Sequence, residues 1–167
     1  MSKSYTALIV DGNKTERKNL SSVIKQNYAM KDVHSTSSAS DAMAILHKLS
    51  GIDWVFLDNK IEGVDAFQLI KEIKPLKSTA NAKYIMTSTE ADRETIIAAI
   101  KAGIDAFIVK PFTHKVILEK MRTLVDGKSQ RKARRINLLG TFYATVVFHG
   151  YAYKSIILDI SAGGCKV

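Results

Sequence analysis

Short apolar runs alternate with helical patterns over the first 125 residues. The predicted strands are 6–11 (TALIVD), 32–37 (DVHSTS), 53–58 (DWVFLD), 83–88 (KYIMTS) and 106–110 (AFIVK). The runs ALIV and WVFL are continuous rather than alternating, which is typical of strands covered on both faces. The segments between the runs repeat apolar residues at helical spacing. Five strand–helix units in series predict a parallel sheet with helices on both faces.

Capping residues mark some of the helix ends. Ser40 and Thr113 stand where N-caps are expected, because a short polar side chain can accept a hydrogen bond from the first turn of a helix. Gly103 stands where a helix should end, because glycine adopts the left-handed conformation at little cost.

The pattern changes after Gly127. Residues 141–148 and 151–158 predict two strands joined by a turn at His149-Gly150, and 159–164 (DISAGG) predicts a further turn before a last strand. Two strands and a stub cannot enclose a core. We therefore expect a first domain over 1–125, a linker over 126–130, and over 131–167 the opening of a second, β-rich domain. The chain should stop inside that domain, or its tail should pack on something else.

Composition places the chain among globular proteins. Its 167 residues are 46% hydrophobic and 25% charged, which excludes a disordered chain and a coiled coil. The apolar runs are too short to span a bilayer, and the amino end has no secretory signal. The single cysteine, Cys165, has no partner for an internal disulfide. We expect a soluble, cytoplasmic protein with no membrane span.

Positive charge is concentrated near the carboxyl end. Residues 126–167 carry seven basic and two acidic residues, a net charge of +5, and the run RKARR occupies 131–135. Such a run attracts phosphate-bearing partners, namely nucleic acid, nucleotides or acidic lipid. The alternative is a solvated basic linker.

Four predicted strands end in residues with complementary chemistry: Asp11, Asp58, Thr87 and Lys110. The carboxyl ends of parallel strands meet at one edge of a sheet, where ligands bind in open α/β folds. This set suits phosphoryl transfer to a carboxylate. An aspartate can act as the nucleophile, Mg²⁺ needs one or two carboxylates, and an ammonium and a hydroxyl can contact phosphoryl oxygens.

The segments around these residues are 9–17 (IVDGNKTER), 56–70 (FLDNKIEGVDAFQLI), 84–88 (YIMTS) and 106–112 (AFIVKPF). In spacing and order over residues 5–125, the chain resembles the response-regulator receiver family of two-component signalling. The resemblance implies a flavodoxin-like fold with the sheet order 2-1-3-4-5. It also implies a sensor histidine kinase or phosphotransfer protein as partner, and it admits a receiver homodimer.

The family's site residues carry over to this sequence. The resemblance implies that Asp58 is the phosphoacceptor and that Asp11, Asp58 and the Asn59 carbonyl hold Mg²⁺. It further implies that Thr87 and Lys110 contact the phosphoryl oxygens.

The resemblance also implies a switch. Phe107 would be the aromatic residue that swings inward as Thr87 moves, and the Lys110–Pro111 bond is expected to be cis.

One departure from the family matters. Receivers usually carry two adjacent acids at the end of the first strand, and here the second position is Gly12. We expect weaker Mg²⁺ binding and slower or absent phosphorylation. The alternative is a degenerate receiver that keeps the fold and acts as a phosphorylation-independent adaptor. A second departure, Ala66 in place of glycine, is minor.

The tail carries two further motifs. Arginine forks suit phosphates and stack on purine bases, and an Asp and Ser turn offers acceptors to a guanine edge. RxxxR at 131–135 followed by DxSxxG at 159–164 resembles the start of a PilZ domain, a small β-barrel that binds cyclic di-GMP. The resemblance implies a ligand site formed by Arg131, Arg135, Asp159, Ser161 and Gly164, with assistance from Arg134. It covers about the first third of such a barrel. The alternative is a basic linker followed by an ordinary hairpin turn.

Together these features predict a response regulator whose receiver regulates a cyclic di-GMP-binding output. A DNA-binding regulator is disfavoured, because residues after 127 show strand alternation and no recognition-helix pattern. An enzyme is disfavoured too, since the chain has no G-x-S-x-G, no Walker sequence and no His/Cys pair.

Overall fold

The computed structural model describes residues 4–61 and 63–126, and in the tail the backbone of five strands. Chain order is β1 (Tyr5–Val10), α1 (Lys14–Asn27), β2 (Met30–Thr36), α2 (Ala39–Lys48), β3 (Trp54–Asp58), β4 (Lys60–Ile61), β5 (Val64–Asp65), α3 (Ala66–Ile73), β6 (Lys83–Ser88), α4 (Arg93–Ala102), β7 (Ala106–Val109) and α5 (His114–Val125). A short 3-10 helix lies at Lys77–Thr79. Strands β4 and β5 form a small antiparallel pair beside the sheet, which the sequence did not predict.

The strands of residues 5–109 form a parallel sheet in the order β2-β1-β3-β6-β7. This confirms the predicted order 2-1-3-4-5, because β6 and β7 are the fourth and fifth predicted strands. Asp58 at the end of β3 pairs in register with Thr87 of β6. Asp11, Asp58 and Thr87 therefore lie at or beside the ends of three neighbouring strands, at one edge of the sheet.

The core lies on both faces of this sheet. Leu8, Val10, Val55 and Leu57 pack into one buried cluster, with helices α2, α3 and α4. Their chain neighbours Ala7, Ile9, Trp54 and Phe56 pack into a second cluster, with helices α1 and α5. Successive side chains of a strand point to opposite faces, so a strand covered on both sides must be apolar throughout.

Two of the three predicted helix ends are confirmed. Thr113 occupies the N-cap position of α5 without the side-chain hydrogen bond expected there, and Gly103 ends α4 with a φ of 76°. The prediction for Ser40 is wrong, because Ser38 is the N-cap of α2 and its hydroxyl accepts a hydrogen bond from the Asp41 amide at 3.2 Å. Ser38 has the extended backbone that an N-cap needs, whereas Ser40 already lies within the helix.

The tail strands are β8 (Arg135–Leu139), β9 (Tyr143–Phe148), β10 (Tyr151–Ile156), β11 (Asp159–Ser161) and β12 (Gly164–Lys166). Strands β9 and β10 pair antiparallel, as the predicted hairpin requires, while the turn residues 149–150 lie outside the described residues. The predicted turn at 159–164 is wrong in part, because Asp159–Ser161 is strand. Ladder hydrogen bonds to β8 and β12 hold it in that state.

Strand β8 joins the parallel sheet of residues 5–109. It runs parallel to β7, with Phe107 opposite Leu138, and β11 and β12 follow antiparallel at its far side. The sequence did not predict this strand, and a purely antiparallel tail was expected. The sheet in the described strands therefore extends to eight, in the order β12-β11-β8-β7-β6-β3-β1-β2. Among the described helices, none has the length and apolar character that crossing a bilayer requires.

Candidate functional site

Asp11 follows directly after β1 and lies almost fully buried, with 5% of its surface exposed. One carboxylate oxygen accepts a hydrogen bond from the Asn13 amide at 2.7 Å. The other accepts one from the Lys110 ammonium at 2.9 Å. The Arg17 side chain donates to the Asp11 backbone carbonyl. The side chain is thus fixed at both oxygens before any ligand arrives.

Lys110 follows β7 and points into the same pocket. Its Nζ lies 2.9 Å from Asp11 and 3.2 Å from Asp58, and only 8% of its side chain is exposed. Burial alone would lower the pKa of Lys110, but hydrogen bonds to Glu16 and Asp11 and the charges of Asp11 and Asp58 together raise it. The Lys110–Pro111 bond is cis, as predicted.

Asp58 is the last residue of β3, and 13% of its side chain is exposed. Burial raises the pKa of Asp58, which Lys110 lowers in part and the charge of Asp11 raises again. The carboxyl group therefore combines access from solvent with a surrounding that disfavours its negative charge. A cation that balances this charge would be favoured here.

Thr87 and Asn59 flank Asp58. The buried Thr87 hydroxyl makes a long contact of 3.5 Å to the Leu57 carbonyl, to which it donates. The Asn59 amide donates to the Thr87 carbonyl at 2.8 Å, which joins the loop after β3 to β6. Phe107 of β7 is fully buried and packs in the same core cluster as Leu57 and Met86. The predicted switch residues are thus neighbours within one packed region.

Sequence reasoning missed Glu16. This residue lies in the first turn of α1, and its Oε2 is 2.5 Å from Lys110 Nζ, closer than either aspartate. The pocket thus contains three carboxylates and one ammonium. The available signal was an acid three residues after Asn13. A glutamate in a first turn is common for helix-dipole reasons alone, so this signal does not by itself indicate a site.

The space around the Gly12 backbone would admit a Cβ atom. A Cβ built there would lie 3.8 Å from the Lys60 carbonyl oxygen, which is an ordinary van der Waals distance. Among the described glycines, Gly63 and Gly103 have a positive φ and Gly12 does not. The backbone at position 12 therefore does not require glycine. Neither space nor backbone conformation explains why this position lacks the family's acid.

The pocket's donor set is compatible with Mg²⁺. Asp11 and Asp58 offer hard carboxylate oxygens to one shared cation position, and Mg²⁺ is commonly held by one or two carboxylates with water completing the shell. Within residues 4–61 and 63–126, no set of three or more His, Cys, Asp or Glu side chains is arranged to hold a metal ion. Asp11 and Asp58 are therefore the two carboxylates that fit such an ion.

The tail motifs are described only in part. Arg131 and Arg134 lie outside the described residues. Arg135 begins β8 and pairs with Ser161 of β11, which in turn pairs with Gly164 of β12. Asp159 stands opposite Asn137. The strand register thus brings one end of RxxxR beside the DxSxxG segment.

Comparisons with known proteins identify the family of this chain. The sequence profile of the family described as "Response regulator receiver domain" matches residues 7–122. The chain is 30% identical over 128 residues to chemotaxis protein CheY-3 of Vibrio cholerae, which covers 75% of this chain and 95% of that protein. It is 27% identical over 122 residues to the chemotaxis protein CheY homolog of Campylobacter jejuni, which covers 73% and 93%.

A solved structure gives the same result for the fold. A response regulator from Thermotoga maritima superposes with a TM-score of 0.65 at 24% identity, covering 75% of this chain and 100% of that one. The family match over residues 7–122 runs from within β1 to within α5 and contains all of the strand-end residues described above. The chain belongs to the response regulator receiver domain family.

Proposed function

We propose that this protein is a two-component response regulator whose receiver is phosphorylated on Asp58 in a Mg²⁺-dependent reaction. The observation that carries the proposal is the position of Lys110 Nζ, 2.9 Å from Asp11 and 3.2 Å from Asp58. A cation and two acids from three different strand ends thus share one small pocket. Its partner is a histidine kinase or phosphotransfer protein, its place is the cytoplasm, and pairing of two receivers is compatible with it.

The chemistry assigns one task to each group. An oxygen of Asp58 attacks the phosphorus of the donor, an O–P bond forms, and the donor's N–P or O–P bond breaks. Lys110 balances negative charge on the transferred group. Mg²⁺, held by Asp11, Asp58 and the Asn59 carbonyl, would add further neutralising charge. The Thr87 hydroxyl must leave the Leu57 carbonyl to donate to a phosphoryl oxygen, and Phe107 adjusts its packing as Thr87 moves.

Phosphorylation is tested with a small phosphodonor. The chain is incubated with acetyl phosphate and Mg²⁺, and intact mass is measured. We expect the mass of one added phosphoryl group, no addition in Asp58→Asn, and normal addition in Asp32→Asn, which neutralises an exposed acid on β2. A chain that stays unmodified would refute the proposal and favour the phosphorylation-independent adaptor, for which the missing acid at Gly12 is the specific support.

For the output, we propose that the tail belongs to a cyclic di-GMP-binding site of PilZ type. RxxxR and DxSxxG in this order support it, and so does the register that pairs Arg135 with Ser161. Arg131 and Arg135 would grip guanine and phosphate with Arg134 assisting, and Asp159, Ser161 and Gly164 would form the other half.

Calorimetry with cyclic di-GMP on the full chain tests this output. Arg135→Ala should abolish binding, whereas Arg122→Ala, which removes an exposed arginine from α5, should leave it intact. Equal binding by Arg135→Ala and the unchanged chain would refute the assignment. Duplex DNA binding with a steep salt dependence would instead favour the DNA-binding alternative.

A further inference from the structure

The Glu16–Lys110 contact is the shortest ion pair in the receiver pocket. Glu16 Oε2 lies 2.5 Å from Lys110 Nζ, against 2.9 Å for Asp11 and 3.2 Å for Asp58. Glu16 reaches the pocket from α1, an element that supplies none of the residues in the proposed reaction. Its side chain is 37% exposed as a whole, while the contacting Oε2 is buried in the pocket.

The local hydrogen bonds explain why Glu16 turns toward Lys110. Asn13 is the N-cap of α1, and its side chain accepts from the amides of Thr15 and Glu16. A glutamate at this position of a helix often reaches back to the amide of the N-cap residue. Here that amide already donates to Asp11 at 2.7 Å. The Glu16 carboxylate is therefore left for another donor, and Lys110 supplies it.

An ammonium group has three N–H donors. In this pocket three carboxylates lie within 3.2 Å of Lys110 Nζ, so a phosphoryl oxygen can approach the ammonium as closely only when one carboxylate moves away. Asp58 carries the phosphoryl group itself. Asp11 is buried and fixed by Asn13 at its second oxygen. The Glu16 side chain as a whole is the most exposed of the three, so it can turn outward into water at the lowest cost.

On this basis, and resting on the proposed phosphorylation of Asp58, we propose that Glu16 is an internal competitor for Lys110. In the unmodified receiver Glu16 holds the ammonium, and the incoming phosphoryl group must displace it. The three carboxylates and one ammonium sum to a net charge of −2, which also repels an anionic donor. Glu16 thereby weakens phosphoryl binding and sets the receiver's threshold for phosphorylation. It is a positioning residue that acts through Lys110.

Glu16→Gln tests the proposal, because it removes the charge and keeps the shape. Fluoroberyllate, a phosphoryl mimic, is titrated by calorimetry at saturating Mg²⁺, so that any loss of Mg²⁺ affinity does not enter. We expect Glu16→Gln to bind it about fivefold more tightly, since hydrogen bonds to charged groups are stronger than neutral ones by about 1 kcal/mol. The rate of phosphorylation by acetyl phosphate should rise in parallel.

Two controls isolate the contact. Glu90→Gln removes one negative charge from the exposed Lys60–Glu90 pair without touching Lys110, and it should change the affinity by less than about twofold. In a Lys110→Met background, Glu16→Gln should give no further gain, because the shared partner is gone.

The outcomes separate this proposal from the proposed function. If the unchanged chain and Glu16→Gln are phosphorylated with equal rates and affinities, the competitor role is overturned while the receiver function stands. A gain that persists in Lys110→Met, or that Glu90→Gln reproduces, overturns it as well, because general charge would then be the cause. If no form takes a phosphoryl group or binds fluoroberyllate, both proposals fall.

Discussion

Lys110 shows how a buried charge is kept at the edge of the sheet. Its side chain is almost fully enclosed, which costs free energy for an ammonium, and three carboxylates compensate for that cost. The single ammonium does not stabilise the negative charges of all three carboxylates to the same extent. Burial keeps the pKa of Asp58 raised in spite of Lys110. The pocket therefore has an excess of negative charge that a divalent cation can relieve, and its affinity for that cation depends on the number of acids present.

The missing acid at Gly12 can be restored. Gly12→Asp fits the available space and adds a carboxylate beside Asp11, so we expect Mg²⁺ to bind roughly tenfold more tightly. Calorimetric titration with Mg²⁺ measures the affinity, and the melting temperature should respond more strongly to Mg²⁺ than in the unchanged chain. Gly51→Asp makes the same substitution at the opposite edge of the sheet, where nothing lies within 4 Å of its Cβ, and should leave the affinity unchanged.

Lys120 is a second buried ammonium, on α5. It is 2% exposed, and burial lowers its pKa to about 8, with the charge of Glu119 opposing that shift in part. The unfolded chain keeps this proton up to the ordinary value of about 10.5. Between these two values the unfolded state binds more protons, so the penalty on folding is complete below pH 8 and disappears as the pH rises toward 10.5.

Lys120→Met should therefore stabilise the protein at neutral pH. The free energy of unfolding should exceed that of the unchanged chain by at most about 3 kcal/mol at pH 7, and the difference should shrink as the pH rises from 8 to 10.5. Urea denaturation at several pH values measures both quantities. A difference that stays constant across this range would contradict a buried, titrating Lys120.

At the scale of elements, the end of α4 shows how one residue sets a boundary. Gly103 adopts a φ of 76°, its amide donates to the Ile100 carbonyl at 2.9 Å, and the Ile104 amide donates to the Ala99 carbonyl at 3.1 Å. This pair of bonds is the Schellman motif, which requires a left-handed residue. Lys74 of the neighbouring helix end donates to the Gly103 carbonyl at 2.6 Å. The turn is thereby bound to the rest of the domain.

Gly103→Ala should destabilise the domain by about 1 kcal/mol, because a Cβ disfavours the left-handed backbone. Gly51→Ala is the matched control, since that position has a backbone outside the left-handed region and open space around it. Thermal unfolding followed by circular dichroism compares the two. Equal melting temperatures would show that the α4 end relaxes to another conformation.

The elements also show where sequence patterns are sufficient. Continuous apolar runs predicted β1 and β3 because both faces of the sheet are covered. The glycine at position 103 predicted the end of α4, because glycine adopts the left-handed conformation at little cost. Ser38 and Ser40 could not be separated, since both are serines within two residues and the choice depends on backbone angles. Glu16 was missed because its partner Lys110 is 94 positions away along the chain, and only the folded sheet brings them together.

At the scale of the whole molecule, the receiver does not end at its fifth parallel strand. Strand β8 pairs with β7. Strand β7 contains Phe107 and is followed directly by Lys110. Phe107 stands opposite Leu138, three residues after Arg135. The proposed switch and the proposed ligand segment are thus joined by one ladder of backbone hydrogen bonds. Sequence patterns did not predict this pairing, because a strand's partner across a sheet leaves no periodic signal in its own residues.

A chain ending at Asp126 separates the two parts of this sheet. Both buried clusters consist of residues before position 122, and the matched Thermotoga maritima structure is covered completely by 75% of this chain. The shortened chain should therefore unfold cooperatively. Its strand β7 then becomes an edge, so the backbone amide hydrogens of β7 that point toward β8 in the full chain should exchange faster with solvent, while those of β1 and β3 should not change. Hydrogen exchange followed by mass spectrometry compares the two chains. Equal exchange of β7 in both would mean that β8 does not pair with the receiver in solution, and any regulation of the tail would then have to pass through another surface.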